Sequence, residues 1–209
     1  ITGQFRSLIG RSYIPPLWAF GYGQSRWGYK TESDIRKVAD EYDKLGIPID
    51  SIYLDIDYME RYKDFTIDKN RFPDLEKLSQ DMKAKGIHLV PIIDAGVKIE
   101  DGYDVYEEGV EKNYFCKNAE GKDFVGAVWP GRVHFPDFMQ PEAREWFGRK
   151  YSVLTELGID GFWNDMNEPA IFYTEDRLSD TLSEIERLTS GNMGIDEYFK
   201  FTGMVAGLN

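Results

Sequence analysis

The chain has 209 residues, 42% of them hydrophobic and 30% charged, enough apolar material for a real core and too much for a disordered segment. Its 25 Lys and Arg against 37 Asp and Glu leave a net charge of −12, with an isoelectric point of about 4.7. Nucleic acid and anionic membrane surfaces are therefore poor partners, because both are held by Lys and Arg. Cys116 is the only cysteine, so an intrachain disulfide is excluded and a cytoplasmic location is expected. One Cys with His88 and His134 cannot make a structural zinc site, and no metal or cofactor is expected. No stretch approaches the roughly 18 apolar residues of a membrane-spanning helix. Aromatic residues reach 15%, with five Trp, which suits a surface built for stacking. The chain begins at Ile1 without Met and reads as a piece of something longer.

In chain order, an apolar run from Pro15 to Gly21 reads as a first strand at about 16–21. An amphipathic helix follows Thr31 and Ser33, both N-cap candidates, with Ile35, Val38, Ala39, Tyr42 and Leu45 at helical spacing. Gly46 ends it, and a strand at about 50–55 finishes in Asp55. A second helix starts near Pro73, carries Leu75, Leu78 and Met82, and stops at Gly86; a strand at about 88–94 then ends in Asp94. A long segment, about 99–140, is rich in Tyr, Gly and charge. Asn118 to Lys122 marks a turn there, consistent with a small β-hairpin. A third helix starts at Pro141, carries Trp146, Phe147, Val153, Leu154 and Leu157, and stops at Gly158; the last strand, about 160–165, ends in Asp165. Beyond it, a helical segment spans about 174–209, with a charged helix at about 175–188 and no closing strand.

Each helix ends in Gly-Ile and each strand is a short continuous apolar run, which marks strands buried on both faces of a parallel sheet. Such repetition means a barrel or an open doubly wound sheet. A complete eight-stranded barrel takes about 250 residues. The expectation is an α/β fold, a partial (β/α)8 TIM barrel: the first four strand–helix units, with an insertion before strand 4.

Asp55, Asp94 and Asp165 end successive parallel strands, so their carboxylates share one rim, the rim on which barrel enzymes build their sites. Crowded carboxylates need a cation, a metal or a developing positive charge. Trp163 points to the same strand face as Asp165, and Trp27 and Trp129 sit on nearby loops. Indoles beside carboxylates suit a sugar, whose C–H face stacks while its hydroxyls bond to the acids. They suit a hydrated Mg²⁺ site less well.

Trp163-Asn164-Asp165-Met166-Asn167-Glu168-Pro169 resembles the catalytic signature of glycoside hydrolase family 31, the α-glucosidase family. Pro15 to Gly21, Asp55-Ile56-Asp57-Tyr58-Met59, Ile92-Ile93-Asp94 and Trp129-Pro130-Gly131 through Phe138 resemble further blocks of that family, in the same order. The resemblance covers the chain to about Tyr173. It implies that Asp165 is the nucleophile of a retaining hydrolysis of terminal α-glucosidic bonds. Asp55 and Asp94 would bind hydroxyls of the non-reducing glucose, and Ile56, Trp129, Trp163 and Met166 would line the same pocket. Glu168 would support the loop. The acid/base residue, an Arg and a His of the sugar pocket are expected beyond Asn209. Trp27 stands where many relatives carry Tyr, which bears on linkage and chain length rather than on the reaction. The implied partner is an oligosaccharide, with self-association left open. A silent carbohydrate-binding relative, an α-xylosidase of the same family and a metal-dependent barrel lyase are the alternatives.

Overall fold

The computed structural model describes residues 2–168, 170–174 and 177. Helix α1 (Thr2–Ile9) buries none of its side chains. The apolar run after it is not the expected strand. Leu17–Phe20 is a short 3₁₀ helix, and the first strand, β1, is only Gly23–Gln24. The register leaves residues 17–20 without a partner strand. Gly23 pairs with Ser51 and Gln24 with Ile52, so residues 17–20 would face 45–48. Those positions hold a helix end, with Gly46 at φ +66°, and Pro48, and offer no strand to pair with. Trp18 instead stacks on His88 at 4.2 Å.

Helix α2 (Glu32–Leu45) starts at Thr31, whose hydroxyl accepts from the Asp34 amide while the Asp34 carboxylate accepts from the Thr31 amide. Strand β2 (Ser51–Leu54), helix α3 (Leu75–Ala84) and strand β3 (His88–Asp94) follow. The insertion carries β4 (Val97–Lys98), a helix α4 (Asp104–Glu111) that the sequence reading did not anticipate, and a hairpin of β5 (Gly126–Val128) with β6 (Gly131–His134) that turns at Trp129-Pro130; the expected turn at Asn118–Lys122 closes only an isolated bridge between Lys117 and Asp123. The third expected helix forms in two pieces, α5 (Pro141–Lys150) and α6 (Ser152–Thr155), before β7 (Trp163–Asp165) and β8 (Tyr173–Thr174). The charged helix expected at about 175–188, and the rest of the tail, lie outside the described residues.

The three Gly-Ile steps do one job. Ile47, Ile87 and Ile159 each donate their amide to the carbonyl five residues back, at Tyr42, Met82 and Leu154. The preceding glycines take φ between +66° and +88°. This closure satisfies the last helical carbonyls and turns the chain into the next strand.

Strands β1, β2, β3 and β7 form one parallel sheet in that order. A doubly wound sheet would reverse its order at a switch point. An unreversed series, each crossover carrying helix, is an arc of a (β/α)8 barrel. On the outer face Ile52, Leu54, Leu89 and Ile93 share one core with Ile35, Leu75, Leu78, Met82 and Leu154. The second sheet, β4-β6-β5-β8, is antiparallel and has its own small core of Val128, Val133 and Phe135.

Candidate active site

Strand parity places the acids. Asn164 faces the helix layer, where the Tyr151 hydroxyl donates to its Oδ1 at 2.6 Å. Trp163 and Asp165 therefore face the opposite, inner side. Trp163 meets Tyr53 edge-on at 6.2 Å. Asp94 and Asp165 end their strands as direct register partners across β3 and β7. Asp55 follows β2 at once and caps a short 3₁₀ turn, its Oδ1 accepting from the Ile56 amide at 2.7 Å. The three carboxyl groups feel one another. Burial, then Asp165 and Asp55, push Asp94 up to about 7. Burial raises Asp55 too, with Asp57 and Asp165 adding to it and the Ile56 amide opposing. Oδ1 of Asp94 is buried without a hydrogen-bond partner among the described residues. A buried acceptor left open at a rim suits a ligand that brings hydroxyl donors.

The antiparallel sheet is tied to this rim at both strand ends. β4 begins three residues after Asp94, and Gly96 lets it approach the hairpin: a Cβ there would lie 2.5 Å from Val128 Cγ2. After Asp165 the chain turns at Met166, φ +57°, and returns to pair β8 with β5. Met166 packs on the hairpin core of Val128, Val133 and Phe135. The hairpin turn carries Trp129, whose ring lies 5.8 Å from Trp27 and 5.2 Å, edge-on, from Phe172. Trp27 is 53% exposed and Phe172 41%. These three rings form a connected aromatic group.

The candidate residues do not all stand alike. Asp55, Asp94, Asp165 and Trp163 meet at the parallel strand ends, and Trp27 with Trp129 forms the aromatic group. Ile56 is buried in the main core, and its amide donates to Asp55 Oδ1. Glu168 is exposed in the turn after β7. Among the described residues, no group of three or more His, Cys, Asp or Glu is placed to hold a metal ion, and no helix is long and apolar enough to cross a membrane. Sequence reasoning missed Phe172, which had no signal beyond lying shortly after the Asp165 motif. It also missed Asp64 and Tyr58, which meet the end of β3. The amide of Asp94 donates to Asp64 Oδ1 at 3.0 Å, and the Tyr58 hydroxyl donates to the Ile92 carbonyl at 2.8 Å.

A barrel arc whose successive strands end in mutually coupled carboxyl groups, with an indole on the same inner face, is built like a carbohydrate-processing barrel. The chain belongs to glycosyl hydrolase family 31: residues 12–198 match the TIM-barrel domain of that family. It is 51% identical to Alpha-glucosidase 2 of Bacillus thermoamyloliquefaciens over 172 residues, 82% of this chain and 22% of that protein. It is 36% identical to the Alpha-glucosidase of Saccharolobus solfataricus over 185 residues, 88% of this chain and 26% of that one. The chain thus spans roughly a quarter of the length of these two curated relatives. Among solved structures, the Family 31 alpha-glucosidase from Bacteroides thetaiotaomicron superposes with a TM-score of 0.73 at 39% identity, over 82% of this chain and 29% of that one. A Flavobacterium johnsoniae GH31 dextranase complexed with isomaltotriose superposes at 0.76 and 30% identity, over 86% and 22%.

Proposed function

We propose that the protein carrying this chain is a retaining α-glucosidase that removes terminal non-reducing α-glucosyl units from oligosaccharides, with Asp165 as nucleophile. The observation that carries the reading is the pairing of Asp94 and Asp165 as register partners at the strand ends, inside the family motif. Relatives named α-glucosidase support the substrate class.

In the first step an Asp165 oxygen attacks the anomeric carbon and forms a glycosyl ester. The glycosidic C–O bond breaks, and the leaving oxygen takes a proton from an acid beyond Asn209. In the second step water attacks the same carbon, gives a proton to that residue, and the ester bond returns its electron pair to Asp165. Positive charge develops on the sugar ring in both transition states, and the negative rim favours it. Asp55 and Asp94 accept hydroxyl hydrogen bonds from the glucose, Trp163 and Trp129 flank its ring, and Trp27, against Trp129, meets the neighbouring unit.

The test is covalent labelling of the full-length enzyme with a fluorinated glucosyl fluoride, followed by mass spectrometry of its peptides. The label is expected on Asp165; a label on Glu168 or on a residue beyond Asn209 overturns the assignment. Asp165→Asn should lower kcat by at least about 10³-fold with the sugar pocket intact.

A further inference from the structure

Strand β3 outruns its neighbour. Its pairing with β2 ends at Leu54 opposite Pro91, yet β3 continues to Asp94. A strand residue directs its N–H and C=O to the same side, and residues two apart use the same side. The carbonyl of Ile92 and the amide of Asp94 therefore point where β2 would have continued. Both are satisfied by side chains from the loop that replaces it. Tyr58 donates its hydroxyl to the Ile92 carbonyl at 2.8 Å, and Asp64 accepts from the Asp94 amide at 3.0 Å. Tyr58 and Asp64 are almost wholly buried, at 0% and 1% exposure. The Tyr103 hydroxyl in turn donates to the Asp64 carbonyl at 2.8 Å, which fixes the loop from the insertion side.

We propose that Asp64 is a positioning residue that stands in for the missing β2 ladder, holding the end of β3 so that the Asp94 carboxylate lies opposite Asp165. The proposal rests on the reading of Asp94 and Asp165 as the active site. The same surroundings set the charge of Asp64. The groups facing it are Asp94 from β3, Tyr58 from the 3₁₀ turn, Tyr103 from the insertion and Tyr151 at the α5–α6 junction. None is a cation, and the Tyr58 and Tyr103 hydroxyls already donate to carbonyls. Lys63, next in the chain, directs its ammonium to Glu100 and Glu60. Oδ2 of Asp64 has no partner among the described residues. Burial, then the Asp94 charge, raise this carboxyl well above the usual range. Both effects push Asp64 toward its neutral form, in which it still accepts from the Asp94 amide through Oδ1.

The experiment uses the full-length enzyme and three variants, with active sites counted by covalent labelling so that turnover is read per competent site. Asp64→Asn keeps a neutral acceptor of the same shape. It should hold kcat/KM per site within about threefold and leave the acid limb of the pH profile in place. Asp64→Leu orphans the Asp94 amide and should cost at least about tenfold per site, since small misplacements of a substrate-binding group are costly. Tyr58→Phe should fall between them. A purely structural Asp64 would instead reduce the labelled fraction and leave the per-site kcat/KM unchanged.

Three results would overturn the proposal: Asp64→Leu within twofold of wild type, Asp64→Asn as impaired as Asp64→Leu, or an acid limb that moves down by a pH unit in Asp64→Asn. If Asp64→Leu does not fold, Asp64→Asn and Tyr58→Phe decide, and an unimpaired Tyr58→Phe refutes the tether. Hydrogen exchange at the Asp94 amide reads the tether without turnover. Protection should persist in Asp64→Asn and fall in Tyr58→Phe and Asp64→Leu. Failure to label Asp165 in the wild type refutes the active-site reading, while the exchange data still judge Asp64.

Discussion

Asp94 concentrates the electrostatics of the rim in one residue. It is 3% exposed, and its carboxyl is pushed up to about 7 by burial and by Asp165 and Asp55. The unfolded chain ionises it near 3.8, so between these values the folded state keeps a proton that the unfolded state has lost. The native state is thus penalised as pH rises from about 4 to about 7, by at most of order 4 kcal/mol. Asp94→Asn, which cannot ionise, should match wild type in Tm near pH 4 and become progressively more stable than it up to about pH 7, with a plateau above. A Tm difference that stays flat across pH 4 to 8 would show that Asp94 is not held protonated. The position of Asp94 at the end of an apolar run was readable from the residues alone. Asp64 was not, since Tyr62-Lys63-Asp64-Phe65-Thr66 reads as an ordinary polar loop and only the shortfall of β2 against β3 gives it a partner.

At the scale of the element, the helix ends were legible, as were β2 and β3, while the first strand was not. Thr31, Gly46, Gly86 and Gly158 act where the local code puts them, because capping is settled within a few residues. Thr31→Ala should cost about 1 kcal/mol, seen as a lower denaturation midpoint with unchanged slope. Gly86→Ala, forced to φ +76°, should cost a similar amount, about 1–2 kcal/mol. The run at 16–21 misled because apolar content reports burial potential, while pairing depends on what lies opposite, and residues 45–48 are a turn. The loop between β1 and α2 carries Trp27 against Trp129. Trp27→Tyr should change the ratio of kcat/KM for maltose and isomaltose in the full-length enzyme; an unchanged ratio would reduce Trp27 to packing.

For the whole molecule, the described residues form an open arc whose outer strands β1 and β7 each have one parallel neighbour. Leu17, Phe20 and Tyr13 are 87%, 68% and 83% exposed. Open strand edges and clustered apolar surface promote association. The polypeptide of residues 1–209, expressed alone, should bind a hydrophobic dye and self-associate in dilute buffer, and should not hydrolyse α-glucosides. A monodisperse, dye-silent or catalytically active 1–209 would contradict this.

The order of helices and strands, the Gly-Ile closures and the strand-end acids were determined by the sequence itself. They follow from hydrophobic periodicity and from backbone conformations set within a few residues. Tertiary structure alone decided where β1 begins, that the insertion builds a second sheet returning to the rim, and that Asp64 and Tyr58 finish β3. These depend on register and on contacts 30 or more residues apart, and no local pattern encodes which side chain will meet a carbonyl or amide left over by a shorter neighbouring strand.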